Sequence, residues 1–178
     1  MMNTFYKKNK LTPIINVSGF MTKIGASIVR NENINAATEV LPNFVNIDEL
    51  QSLASKKISK FLGTESAVIT ASAAGGLTES IAATITGNDI KKIYELPNTK
   101  GLKNNVIIQY GHLTNYGAEV GQAIRLSGAK ILKCGSRISC NKNQLIKKIT
   151  DNKNNITCAM YVVSHHCSDY NSLGLKDF

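Results

Sequence analysis

Between residues 47 and 62 the apolar positions recur with helical spacing. Ile47, Leu50, Ala54, Ile58 and Phe61 fall on one face. Asn46 precedes the run, Glu49 follows it three residues on and Gly63 closes it, the pattern of a capping box and a C′ glycine. This predicts a helix over 47–62. A short β-branched stretch, 66–70, predicts a strand. The segment 74–86 predicts a second helix, with Leu77, Ile81 and Ile85 on one face and Gly87 at its end. The alternation continues with a strand at 106–110 and a helix at 116–127 bearing Tyr116, Val120 and Ile124 on one side. After Gly128 come a strand at 129–134, a helix at 141–150 behind Asn141 as N-cap, and an almost wholly apolar strand at 156–163. Such a run belongs to a strand buried on both faces. A further short strand starts at 14–17. Strands alternating with helices predict an α/β fold, a mostly parallel sheet flanked by helices on both sides. No covering helix follows the strand at 156–163, so the expectation is an incomplete unit, a fragment of a larger domain.

Composition narrows the class. The chain has 178 residues, 43% of them hydrophobic, which is enough for a buried core and excludes disorder as the main state. Its apolar runs stay far below the ~20 residues of a membrane span. Residues 1–12 form a polar segment, and no apolar stretch follows the lysines at 7, 8 and 10, so no secretory signal is expected. A cytoplasmic location follows as the expectation, and the four cysteines read as thiols rather than a disulfide framework. The net charge of +9 raises the question of nucleic acid. However, lysine supplies 18 of the 21 basic residues and arginine only three, Arg30, Arg125 and Arg137. The lysines lie in scattered pairs rather than runs. This describes a solvated surface and argues against specific nucleic-acid binding.

Two strand ends carry candidate chemistry, because open α/β sheets bind ligands at the carboxyl ends of their strands. One is Thr70-Ala-Ser-Ala-Ala-Gly-Gly76, passing from strand directly into helix. Small residues, a serine hydroxyl and a helix N-terminus suit a phosphate; the same residues also make a tight packed turn. The other is Gln109-Tyr-Gly-His112-Leu-Thr-Asn-Tyr116, where His112 can stack on a flat ring, move a proton, or simply bond to backbone. His165-His166-Cys167 and the remaining cysteines have no metal-ligand spacing, and no metal site is expected. Serine hydrolysis has no Gly-x-Ser-x-Gly elbow to support it, and with 12 acidic residues no paired carboxylates stand out.

Taken together the segments resemble a known family. Pro13-Ile-Ile-Asn-Val-Ser-Gly-Phe-Met-Thr22 and Gly25-Ala-Ser27 resemble the opening of the selenocysteine-synthase and D-glucosaminate-6-phosphate ammonia-lyase group. The likeness continues through Asp48-Glu-Leu-Gln51, Gly63-Thr-Glu-Ser-Ala-Val-Ile-Thr70, Ser72-Ala-Ala-Gly75, Val106-Ile-Ile-Gln-Tyr-Gly-His112 and Arg125-Leu-Ser-Gly-Ala129. These are pyridoxal 5'-phosphate (PLP) enzymes of the aspartate-aminotransferase fold, fold type I. The resemblance implies that residues 13–178 are the N-terminal part of a PLP-binding large domain. It implies that Ser72, Ala73 and Ala74 bind the cofactor phosphate, that His112 stacks over the pyridine ring, and that the protein is a homodimer or larger homo-oligomer. Phe20 stands where the family has Thr, and Ala26 where it has Gly. The family's pyridine-pairing aspartate and Schiff-base lysine match no position here. No catalytic residue is therefore assigned, and this stretch alone is expected to be inactive. The implied activity of the full-length enzyme is a lyase or transferase forming an external aldimine with a small amino-acid or amino-sugar substrate. The alternatives are an L-seryl-tRNA(Sec) selenium transferase-like enzyme and a non-catalytic anion-binding module of the same fold.

Overall fold

The structure, a computed structural model, describes residues 4–167 and 171–178. The chain divides into two compact units, Met1–Ala67 and Val68–Phe178.

The first unit is helical: α1 (Thr4–Asn9), a 3-10 turn at Thr22–Ile24, α2 (Asn31–Val40) and α3 (Ile47–Leu62). Helix α3 has the predicted ends. The Asn46 side chain accepts hydrogen bonds from the backbone N–H groups of Asp48 and Glu49, and Gly63 closes the helix in the left-handed region at φ 68°. The strand start expected at 14–17 is not a strand. Those residues pair with no neighbour and are exposed; a strand exists only where a second one takes its backbone hydrogen bonds. The stretch is followed by a small loop in which Met21 and Ala26 form an isolated antiparallel bridge. Ala26 sits there at φ 61°, a conformation that costs a side-chain-bearing residue roughly 1–2 kcal/mol. The alanine, standing where the resemblance has glycine, is thus strained. Ala26→Gly is expected to stabilise the natural protein by roughly 0.5–1 kcal/mol, the relieved strain less the added freedom of the unfolded chain. A rise in thermal midpoint checks it, and an unchanged or lower midpoint contradicts it.

The second unit holds α4 (Ala73–Thr86), α5 (Ile90–Glu95), β1 (Asn105–Gln109), α6 (Val120–Leu126), β2 (Lys130–Cys134), α7 (Lys142–Asn152) and β3 (Ile156–Met160). The sheet order is β2-β1-β3, and both pairings are parallel. β1 is the central strand and alternates its side chains between two cores. Val106 and Ile108 join Ile81 and Ile85 of α4 and Val120 and Ile124 of α6 on one face. Ile107 joins Cys134, Cys140 and Leu145 of α7 on the other, with Leu173 and Phe178 packed against them. Helices thus flank a parallel sheet, the predicted class. Thr78 ties α4 to α6 by donating to the Ala123 carbonyl at 2.9 Å, and Thr157 ties β3 to α4 by donating to the Thr84 carbonyl at 2.7 Å.

Three further expectations are corrected. Residues 66–70 run without sheet partners, so they form no strand. The helix expected from residue 116 begins only at Val120, because Asn115 accepts from the Gly117 N–H at 2.9 Å and Gly117 turns at φ 100°. The strand expected over 156–163 ends at Met160 and is only partly buried, because β3 lies at the sheet edge and the chain then turns to bond Val162 to His112. Among the described residues no helix is long and apolar enough to cross a membrane.

Candidate functional site

Ser72 is extended, with φ −161° and ψ 159°, and caps α4. Its hydroxyl oxygen accepts the Gly75 N–H at 3.0 Å, and its carbonyl accepts the Gly76 N–H at 2.9 Å. Thr70 braces the turn by donating to the Ser72 carbonyl at 3.0 Å. Gly76 makes room for that brace, since a Cβ there would lie 3.0 Å from the Thr70 hydroxyl. The capping bonds use the third and fourth N–H groups. They leave the N–H groups of Ala73 and Ala74, which have no acceptor within a helix, and the hydroxyl hydrogen of Ser72. Ser72 and Ala73 are exposed and Ala74 is half-buried. The first turn of this 14-residue helix carries no acidic side chain, although the Glu79 carboxylate reaches back to within 3.9 Å of where a Cβ on Gly75 would stand. This donor set fits a phosphate, the group that the resemblance assigns to Ser72, Ala73 and Ala74.

His112 ends the 3-10 turn Tyr110–His112 that follows β1, and it is fully buried. Its Nδ1 accepts the Val162 N–H at 3.2 Å, and its Nε2 lies 3.5 Å from the Gln109 amide nitrogen. Tyr161 packs against the ring in a T-shaped pair, with centroids 4.5 Å apart at 83°. The neighbouring Gln109 is also fully buried. It pairs with Leu173 through two bonds of 2.9 Å, its Nε2 donating to the carbonyl and its Oε1 accepting the N–H. Ser72, Ala73 and Ala74 therefore form one cradle, while His112 anchors the exit of β3.

The sequence reasoning missed a cleft of about 610 Å³ where β1 and β2 end and α6 begins. Neither the cradle residues nor His112 line it; Tyr110, Thr114, Arg125, Lys133 and Arg137 do. The available signal was the scarcity of arginine, since two of the chain's three arginines stand here. A hydrogen bond from Arg137, then the charges of Lys133 and Arg137, hold the Tyr110 phenol below its usual range. Cys134 and Cys140 are buried on the opposite core, and the Cys140 thiol donates to Cys134 Sγ at 3.2 Å. Burial, then the neighbouring thiol, push Cys140 up to about 12, so it stays protonated and unreactive. Among the described residues no three His, Cys, Asp or Glu side chains are placed to hold a metal ion.

Comparison with known proteins adds the following. The chain is 34% identical, over all 178 residues, to D-glucosaminate-6-phosphate ammonia lyase of Salmonella typhimurium (strain 14028s / SGSC 2262), and covers 47% of that protein. It is 23% identical over 146 residues to 5'-C-glycyluridine monooxygenase-decarboxylase of Streptomyces sp, covering 82% of this chain and 37% of that one. The solved structure of D-glucosaminate-6-phosphate ammonia-lyase matches with a TM-score of 0.93 at 33% identity, over 100% of this chain and 47% of that chain. No family model matches. The chain is thus homologous over its full length to an ammonia-lyase and shares its α/β fold, while spanning less than half the length of the relatives it matches.

Proposed function

We propose, from that homology, that the protein containing this chain is a PLP-dependent lyase acting on a small amino-acid or amino-sugar substrate. The observation that carries the reading is the full-length match to an ammonia-lyase, over a chain whose cradle has the donors a phosphate requires. In this reading Ser72, Ala73 and Ala74 hold the cofactor phosphate through two backbone N–H groups and a hydroxyl, at a helix end whose dipole favours the anion. His112 is assigned to the ring on the resemblance alone. When bound, PLP supplies an electron-withdrawing ring that stabilises negative charge next to the substrate amine. This chain's part is to bind and orient that group. No lysine of residues 1–178 is assigned to hold it covalently. A homo-oligomer is part of the same proposal. The dispersed lysines support a small amine rather than an aminoacyl-tRNA as substrate.

Two measurements on the natural full-length protein test the reading. Ammonia release from D-glucosaminate 6-phosphate, or from simpler amino acids and amino sugars, is expected to depend on added PLP. After borohydride reduction, mass spectrometry is expected to find one phosphopyridoxyl-lysine outside residues 1–178. Stoichiometric label on a lysine within these residues would place the covalent site in this chain and overturn its assignment as a binding segment only. Absence of any PLP-dependent turnover would overturn the lyase reading.

A further inference from the structure

The cleft beyond β1 and β2 is lined by three cationic groups. Arg125 projects from α6, Lys133 from the end of β2 and Arg137 from the loop after it. Lys133 Nζ lies 4.4 Å from the centre of the Tyr110 ring, and the Arg137 guanidinium carbon 5.5 Å from it. Both cations are thereby held over one wall of the cleft. Gly121 lets Arg125 fold back along its helix, since a Cβ there would come within 3.2 Å of the guanidinium. The anion near these groups is Glu119, which meets Arg125 at 3.8 Å with both side chains 58% exposed. Such a pair is weak and solvent-screened. Among the described residues Lys133 and Arg137 have no ion-pair partner.

A further observation, a compositional one, points to a ligand. Lysine stands at 18 of 21 basic positions, yet two of the three arginines meet in this one cleft. Arginine differs from lysine in its planar fork, which binds phosphate oxygens in pairs. The volume of about 610 Å³ exceeds what an inorganic anion fills, and Leu113, Ile131 and the Tyr110 ring supply apolar wall for a larger body.

We infer that this cleft is a second anion site, distinct from the Ser72 cradle, which takes the phosphate of a small phosphomonoester between Arg125, Lys133 and Arg137. The site stands on its own geometry and does not depend on the lyase reading. Calorimetric titration of the natural full-length protein tests it, with glucose 6-phosphate, glucose and inorganic phosphate as probes. Glucose 6-phosphate is expected to bind saturably and glucose not at all. Arg137→Gln and Lys133→Gln, both at exposed side chains, are each expected to weaken glucose 6-phosphate about tenfold or more, and Ser72→Asp to leave it unchanged. Inorganic phosphate binding as tightly as the sugar phosphate, with the same loss in Arg137→Gln, supports the site and identifies the free anion as sufficient. Two results overturn the inference. One is no saturable binding of either phosphate. The other is binding lost in Ser72→Asp and kept in Arg137→Gln, which leaves the cofactor cradle standing and removes the cleft.

Discussion

Ser72→Asp is expected to lower the affinity of the full-length protein for PLP by about 30- to 1000-fold, on the order of 2–4 kcal/mol. The physical reason lies in the junction before α4. The Ser72 oxygen already accepts the Gly75 N–H at 3.0 Å, a bond that a carboxylate oxygen also makes, since aspartate is a good N-cap. Helix α4 therefore keeps its start, and the substitution acts on the ligand. It removes the hydroxyl donor and sets a negative charge where the phosphate must come, next to the Ala73 and Ala74 N–H groups. Equilibrium titration with PLP reads the loss, and the thermal midpoint of the unliganded protein serves as control. Unchanged PLP affinity in a folded Ser72→Asp protein would remove the phosphate from this cradle.

Gly128→Ala is expected to destabilise the fold by at least about 3 kcal/mol, one of the larger effects open to a single added methyl group. Gly128 joins α6 to β2 at φ 83°, in the left-handed region that costs an alanine roughly 1–2 kcal/mol. A Cβ there would also collide with the Pro97 carbonyl oxygen and come within 2.8 Å of Thr99 Cγ2. Neither neighbour can give way freely. Thr99 donates to the Gly128 carbonyl at 2.8 Å and accepts from Asn104 at 2.8 Å, and the Asn104 carbonyl accepts the Lys130 N–H that starts β2. Shifting the loop therefore disturbs the first rung of the β1–β2 pairing. The midpoint of urea unfolding measures the effect, and a midpoint within experimental error of the parent would contradict it.

How much of this was legible in the sequence depended on the range of the interaction. Helix α3 was readable to its last residue because its signals are local. Asn46 reaches N–H groups two and three residues ahead, and Gly63 sets its own φ. The start of α7 was readable for the same reason, while its end lies at Asn152 rather than the expected 150. Asn141 and Gln144 close a reciprocal capping box in which each side chain bonds the other's backbone, at 2.9 Å both ways. The N-terminus of α4 was legible too, because a serine followed by small residues already contains the cap and the free N–H groups. Residues 66–70 have the composition of a strand and yet form none, since composition cannot supply the partner that makes an extended segment part of a sheet.

The sequence by itself determined the α/β class, the parallel order of alternation and the caps, because each rests on bonds or periodicities spanning a few residues. Tertiary structure alone decided three other features. It put β1 at the centre and β3 at an edge, so the apolar run after 156 became a half-covered strand. It closed His112 against Tyr161 and Val162, some 50 residues away in the chain. It also brought Tyr110, Arg125, Lys133 and Arg137 to one cleft from four separate elements. Such convergence leaves no periodic trace, because a parallel sheet aligns the carboxyl ends of strands that are separated in sequence by whole helices.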